Sequence, residues 1–213
     1  MKASHVLVIF LFGGLWGLSE AVLGNALYAA DVPLASVYLT VLAFFLLAVA
    51  SVFLRFRGAL TAIGVLAMLY KFFNVPFFAC HLCGIALIGL SFDLVFRWKS
   101  RPDQPLKPVA AGLKAILATY LSSSLFYLAM IAVFRSEHWL DKGLGGLWWH
   151  VGVTGTITAA GCALAVPLGL ALGRRLVAGA PGAVGPLLQP RLAASLAALL
   201  ALGLWAYGVA GTL

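Results

Sequence analysis

The chain has 213 residues, of which 63% are hydrophobic and 9% charged, and its mean hydropathy is +1.07. Such a composition excludes a soluble domain and predicts an all-α, polytopic integral membrane protein. The formal net charge of +8 does not indicate nucleic-acid binding, because the basic residues lie between apolar runs, where they orient the chain and contact anionic lipid. Three cysteines are too few for a disulfide framework.

The apolar runs predict a helical bundle of six to seven transmembrane helices in one membrane domain, residues 1–213. Most runs reach the ~20 residues that a ~30 Å hydrocarbon core requires, and the third is shorter. Six runs form a bundle over about residues 5–175. A linker rich in Gly, Pro and Ala follows at 177–190, and an additional C-terminal helix at 192–212. The predicted spans are 5–30, 33–54, 58–75, 76–97, 109–134, 145–173 and 192–212.

The distribution of Lys and Arg predicts the orientation, because cytoplasmic loops of membrane proteins collect basic residues. With the N-terminus in the cytoplasm, eleven of the 14 basic residues fall on the cytoplasmic side. Only Lys71, Arg135 and Lys142 fall outside. We therefore expect a multi-pass protein of the inner (cytoplasmic) membrane whose polar residues, apart from Asp93, lie mostly in the outer half.

Ionisable and amide side chains within the predicted outer half are candidates for binding a small molecule. A charge at the bilayer centre costs ~2.5 kcal/mol or more, so such groups are usually functional or paired. We expect Glu20, His81 and His150 to share one water-accessible cavity. The alternative for Glu20 is a structural role between helices. The full set of candidate substrate-binding residues is Glu20, Asn25, Lys71, Asn74, His81 and His150.

The Cys-His-Leu-Cys quartet at residues 80–83 allows four interpretations. Cys80 and Cys83 form a pair three residues apart that suits thiol–disulfide exchange. Together with His81 and His150, they form a donor set suited to a soft metal ion. The two histidines alone allow a bis-histidine haem site, which is the weaker cofactor hypothesis. The fourth interpretation is packing, since cysteine behaves as a small hydrophobe, and we assign packing to Cys162.

Two further patterns concern helix packing. Gly13, Gly17 and Ala21 repeat at the four-residue spacing that lets membrane helices approach closely. Asp93 precedes Arg97 by four residues, in the order that favours an ion pair on one helix face. We therefore interpret Asp93 as half of an interfacial pair and not as a site residue.

A resemblance follows from the stretch between Pro76 and Asp93, which contains Cys-Gly84-Ile-Ala-Leu-Ile-Gly89-Leu-Ser-Phe, and from the late segment Thr154-Gly-Thr-Ile-Thr. With the small-residue stripe of the first span, they give a layout that resembles the substrate-binding S components of energy-coupling factor transporters. The resemblance covers residues 5–175. It differs in the mostly glycine stripe and the seventh span.

This resemblance implies six spans around an outward-facing pocket and the uptake of a vitamin-like small molecule or a metal species. It also implies coupling to a transmembrane subunit through Gly13, Gly17 and Ala21, with energy from separate ATPase subunits. Consistently, the chain contains no Gly-x-x-x-x-Gly-Lys-Ser/Thr phosphate loop. The alternatives are a membrane thiol–disulfide oxidoreductase using Cys80 and Cys83, and a metal- or haem-binding subunit of a membrane complex.

Overall fold

The computed structural model describes residues 3–71, 79–97 and 106–178. In these ranges the chain is helical, with seven helices and no strand. Two of the helices contain π-helical segments, Ala129–Val133 and Trp148–Thr154. The helices are α1 (Ala3–Ala29), α2 (Ala35–Phe53), α3 (Ala59–Tyr70), α4 (Ala79–Arg97), α5 (Pro108–Val133), α6 (Glu137–Leu140) and α7 (Gly143–Ala178).

Five of the described helices, α1, α2, α4, α5 and α7, are long and apolar enough to cross a membrane. The prediction of an all-α helical membrane bundle is therefore confirmed. Helix α3 has 12 residues, or roughly 18 Å at 1.5 Å per residue, and is shorter than a full crossing. The C-terminal span predicted at 192–212 lies outside the described residues, as does almost all of the linker predicted at 177–190; α7 continues to Ala178.

The six longer helices pack as a closed ring in the order α1, α3, α4, α5, α7, α2 and back to α1. The interior of the ring is filled by large apolar side chains. Among them, Trp16, Phe44, Leu47 and Phe92 are fully buried. The ring order differs from the chain order. Helix α2 packs between α1 and α7, and α3 packs on the other side of α1, between α1 and α4.

The small-residue stripe of α1 packs against α3 of the same chain. A Cβ atom added at Gly13 would lie 2.7 Å from Leu66 Cδ2, and one added at Gly17 would lie 2.6 Å from Tyr70 Cγ. Ala21, the third member, is 1% exposed. In the isolated chain α3 occupies this stripe, and the docking of a separate coupling subunit stays a prediction. The spacing correctly indicated a close helix contact, but a contact within the chain.

The interaction predicted for Asp93 is found at one end of the ring. Asp93 Oδ1 lies 3.5 Å from Arg97 Nε, one turn further along α4. Its other carboxylate oxygen accepts the backbone N–H of Gly58 at the start of α3. Arg97 in turn donates to the backbone carbonyl of Leu54, at the end of α2. Asp93 therefore ties three helices together at the end that the basic residues predict to be cytoplasmic.

Candidate small-molecule site

A cavity of about 300 Å³, which we call the inner cavity, lies toward the opposite end of the ring from Asp93. Glu20 of α1, His81 of α4 and His150 of α7 all line it, although the three helices are far apart in the chain. The structure thus brings together the three ionisable groups that were expected to share a cavity. That they bind a ligand stays a prediction.

Glu20 is held by two groups that leave its side chain at the cavity. The indole Nε1 of Trp16, one turn earlier on α1, donates to Glu20 Oε1 at 3.2 Å. Lys71 Nζ, at the end of α3, donates to the backbone carbonyl of Glu20 at 2.9 Å. Glu20 and Lys71 are each 7% exposed. A carboxyl this deeply buried persists because it has a donor and a nearby cation.

Aromatic rings fix the two histidines. The ring of His81 stacks on Tyr28, with centroids 5.7 Å apart and planes 15° apart. The ring of His150 lies 5.1 Å from Phe126 and 5.2 Å from Trp139, measured between centroids. All five rings line the cavity, so much of its wall consists of flat aromatic surfaces. Such a wall favours a planar ligand, which can stack on the rings.

Hydroxyl groups supply part of the remaining wall. Thr40, Ser122 and Thr158 line the cavity from α2, α5 and α7. Each hydroxyl donates to a backbone carbonyl three or four residues earlier on its own helix, at 2.8 or 2.9 Å. A hydroxyl has one hydrogen and two lone pairs, so these three oxygens can now only accept. With the carboxyl of Glu20, they make the cavity rich in hydrogen-bond acceptors.

A second cavity, of about 530 Å³, adjoins the first and is called here the outer cavity. Tyr28, Ser36, Trp139 and His150 line both. Trp139 belongs to the short helix α6. Its indole lines both cavities and therefore lies at their boundary. The outer cavity also contains Lys142. The arrangement provides a route from the end of the ring to the inner cavity past Trp139 and His150.

His150 lies in the π-helical segment Trp148–Thr154 of α7. A π turn contains more residues than an α turn, so it shifts the face on which the following side chains lie. The α-helical periodicity of the sequence therefore cannot give the direction of His150. Its place beside Phe126 and Trp139 depends on this local widening of the helix.

The other predicted site residues are placed less centrally. Asn25 is half-buried on α1 and is not among the described residues that line the inner cavity. Lys71 likewise does not line it, but contacts the backbone of Glu20. Cys80 lines the cavity, whereas Cys83 does not. Asn74 lies outside the described residues.

The structure does not assemble the predicted soft-metal site. In residues 3–71, 79–97 and 106–178, no group of three or more His, Cys, Asp or Glu side chains is arranged to hold a metal ion. In the proposed set of Cys80, His81, Cys83 and His150, His150 contacts aromatic rings and Cys83 is not among the residues that line the cavity. The spacing of Cys80, His81 and Cys83 along α4 could not reveal this result, because the fourth predicted ligand, His150, lies on α7.

Several lining residues were not predicted from the sequence. Tyr28, Phe126 and Trp139 are aromatic residues near helix ends, which are common in any membrane protein and carry no distinctive signal. Ser122 and Ser123 did offer one, because they belong to a run of three serines inside an apolar span. Thr158 belongs to a similar run of alternate threonines at 154, 156 and 158.

Comparisons of the chain with protein-family models, with curated proteins and with solved structures found no match. The geometry of the cavity therefore carries the functional argument.

Proposed function

We propose that this chain is a membrane component that captures a small molecule for uptake, and that the inner cavity is its binding site. The observation that carries the proposal is the convergence of Glu20, His81 and His150 from α1, α4 and α7 on one cavity. Ionisable groups inside a membrane bundle mark binding or transport sites more often than packing. A concave cavity with a few converging polar groups is the usual form of a ligand site.

The chemistry of the wall defines the ligand class. Glu20 and the hydroxyls of Thr40, Ser122 and Thr158 are acceptors, so the ligand must bring N–H or O–H donors to satisfy them. The rings of Tyr28, His81, Phe126, Trp139 and His150 favour a flat body. The ligand is therefore a small planar molecule that carries several donors, such as an amino-substituted heteroaromatic compound of vitamin size.

The direction of capture follows from the predicted orientation. Counting basic residues places the inner cavity in the outer half, so the ligand arrives from outside the cell. The chain contains no phosphate loop with which to hydrolyse ATP, and separate subunits therefore supply the energy, as in the S components that the sequence resembles.

Mass spectrometry of small molecules released from the purified protein tests this proposal. We expect one planar, donor-bearing compound at near-stoichiometric amounts. Glu20→Gln should lower its retention by roughly tenfold or more, since a hydrogen bond to a charged group contributes ~1.5–3 kcal/mol. Glu137→Gln is the matched control, because Glu137 is exposed on α6. Equal retention by wild type and Glu20→Gln would refute the assignment.

A membrane thiol oxidoreductase is the second candidate function. It is favoured by one observation: Cys80 lines the inner cavity as a free thiol, and Cys83, also free, follows three residues later. A substrate in the cavity could reach only Cys80 directly, and Cys83 would have to resolve the mixed disulfide.

A further inference from the structure

A third cavity lies at the other end of the ring and is not part of the candidate site. It has a volume of about 1170 Å³ and is an open groove bordered by α1, α3, α4 and α5. We call it the α3 groove. It runs along α3 from Gly58 to Leu69, twelve residues or roughly 16 Å of helix. It is thus elongated along this helix.

Most of the α3 groove is apolar and open to the surroundings of the bundle. Phe10, Val65, Leu69, Leu94 and Leu117 line it and are 41–53% exposed. In a bilayer this surface is covered by hydrocarbon, because water is absent at that depth and an empty groove would forfeit contacts.

The predicted cytoplasmic end of the groove is polar and basic. Arg57, Thr61, Asp93 and Arg97 line it there. The carboxylate of Asp93 is already engaged by Arg97 and by the N–H of Gly58. Arg57, in contrast, is exposed and has no ion pair or hydrogen bond with any residue in the described ranges. The end of the groove therefore presents an exposed guanidinium that an anionic group can reach.

We propose that the α3 groove holds one anionic phospholipid of the cytoplasmic leaflet, with its phosphate on Arg57 and an acyl chain along Val65 and Leu69. The two halves of the groove match the two halves of such a lipid. A guanidinium binds phosphate in a bidentate manner, and basic pockets between helices on the cytoplasmic side select anionic headgroups. The apolar stretch above is lined by exposed hydrophobic side chains, which suits an acyl chain better than a water-soluble ligand. This inference does not depend on the proposed function of the inner cavity.

Native mass spectrometry of the full chain tests the proposal, after reconstitution in nanodiscs with equal amounts of phosphatidylglycerol and phosphatidylcholine of identical chains. We expect wild-type protein to retain one phosphatidylglycerol in preference to phosphatidylcholine. Arg57→Gln should lower that preference by about tenfold, as expected for the loss of one charge-assisted contact. Arg175→Gln removes an equal charge from an exposed site at the same end, on α7, and should leave the preference unchanged.

A second pair of variants tests the acyl part of the groove. Val65→Trp fills the groove and should reduce the retained lipid, while Leu164→Trp, on the exposed face of α7, should not. The proposal is overturned if wild type retains both lipids equally, if Arg57→Gln and Arg175→Gln have the same effect, or if Val65→Trp retains as much phosphatidylglycerol as wild type. The last result would also be expected if a protein helix covered the groove.

Discussion

Lys71 Nζ donates its hydrogen bond to the backbone carbonyl oxygen of Glu20, at 2.9 Å, and not to the Glu20 carboxyl group. This contact joins the end of α3 to the middle of α1. It places a cation near the carboxyl while leaving the carboxyl itself to Trp16 and the cavity. One lysine thus contributes to the packing of two helices and to the electrostatics of the candidate site.

Lys71→Met should lower the free energy of unfolding by about 1–3 kcal/mol, because it removes the hydrogen bond that joins α3 to the Glu20 carbonyl oxygen and leaves the Glu20 carboxyl without a nearby cation. Thermal unfolding in a mild detergent measures the effect. Lys107→Met, at an exposed residue before α5, should change stability little. Combining Lys71→Met with Glu20→Gln should cost less than the sum of the single changes, since both act on one charge pair. A strictly additive result would contradict the coupling.

Gly17→Val should destabilise the protein by about 1–3 kcal/mol, the usual cost of overpacking a tight contact. The reason is the contact with α3, where an added Cβ would lie 2.6 Å from the ring of Tyr70. Gly145→Ala is the control, because an added Cβ there meets nothing within 4 Å. If the stripe instead docked a separate subunit, Gly17→Val would unfold like wild type in isolation and lose only the partner.

Replacing both Cys80 and Cys83 with serine separates uptake from thiol chemistry, because thiol–disulfide exchange through this pair needs both sulfurs. We expect the double variant to keep the co-purifying ligand and measurable uptake. Cys162→Ser is a poor control since Cys162 is fully buried, so each single variant serves instead. Complete loss of function in the double variant, with the ligand still retained, would favour the oxidoreductase.

A reporter fused after Arg101 should be cytoplasmic, and one fused after Leu213 should be outside the cell. The expected result follows from the excess of basic residues on alternate loops and from an odd number of crossings. Alkaline phosphatase and green fluorescent protein fusions measure the two sides independently. A cytoplasmic C-terminus would mean that residues 177–212 do not make a full crossing, and would bring the number of spans to the six of the S components.

The helices and the packing stripe could be read from the sequence to different degrees. The apolar runs predicted α1, α2, α4, α5 and α7 because backbone groups inside a bilayer must bond within their own segment. The Gly13 and Gly17 spacing predicted a close contact but could not identify the neighbouring helix. A stripe shows that a helix approaches something, whereas only the ring order shows that the neighbour is α3.

The candidate site, like the fold, could be predicted only in part from the sequence. The positions of Glu20, His81 and His150 in their spans predicted that they lie at similar depth, because a helix rises by a constant 1.5 Å per residue. Their direction around each helix was not predictable, since it depends on which helices are neighbours and, for His150, on the π segment of α7. For the same reasons, the sequence could not show that the four predicted metal ligands do not form a metal site among the described residues.

By itself, then, the sequence determined the class of the protein and its principal spans, because hydropathy is a local property of the chain. The tertiary structure decided which residues meet. It closed the ring by packing α2 against α7, stacked Tyr28 on His81, and left a groove along α3 that ends at Arg57. Contacts between helices depend on the packing of whole faces, which no single segment of the sequence contains.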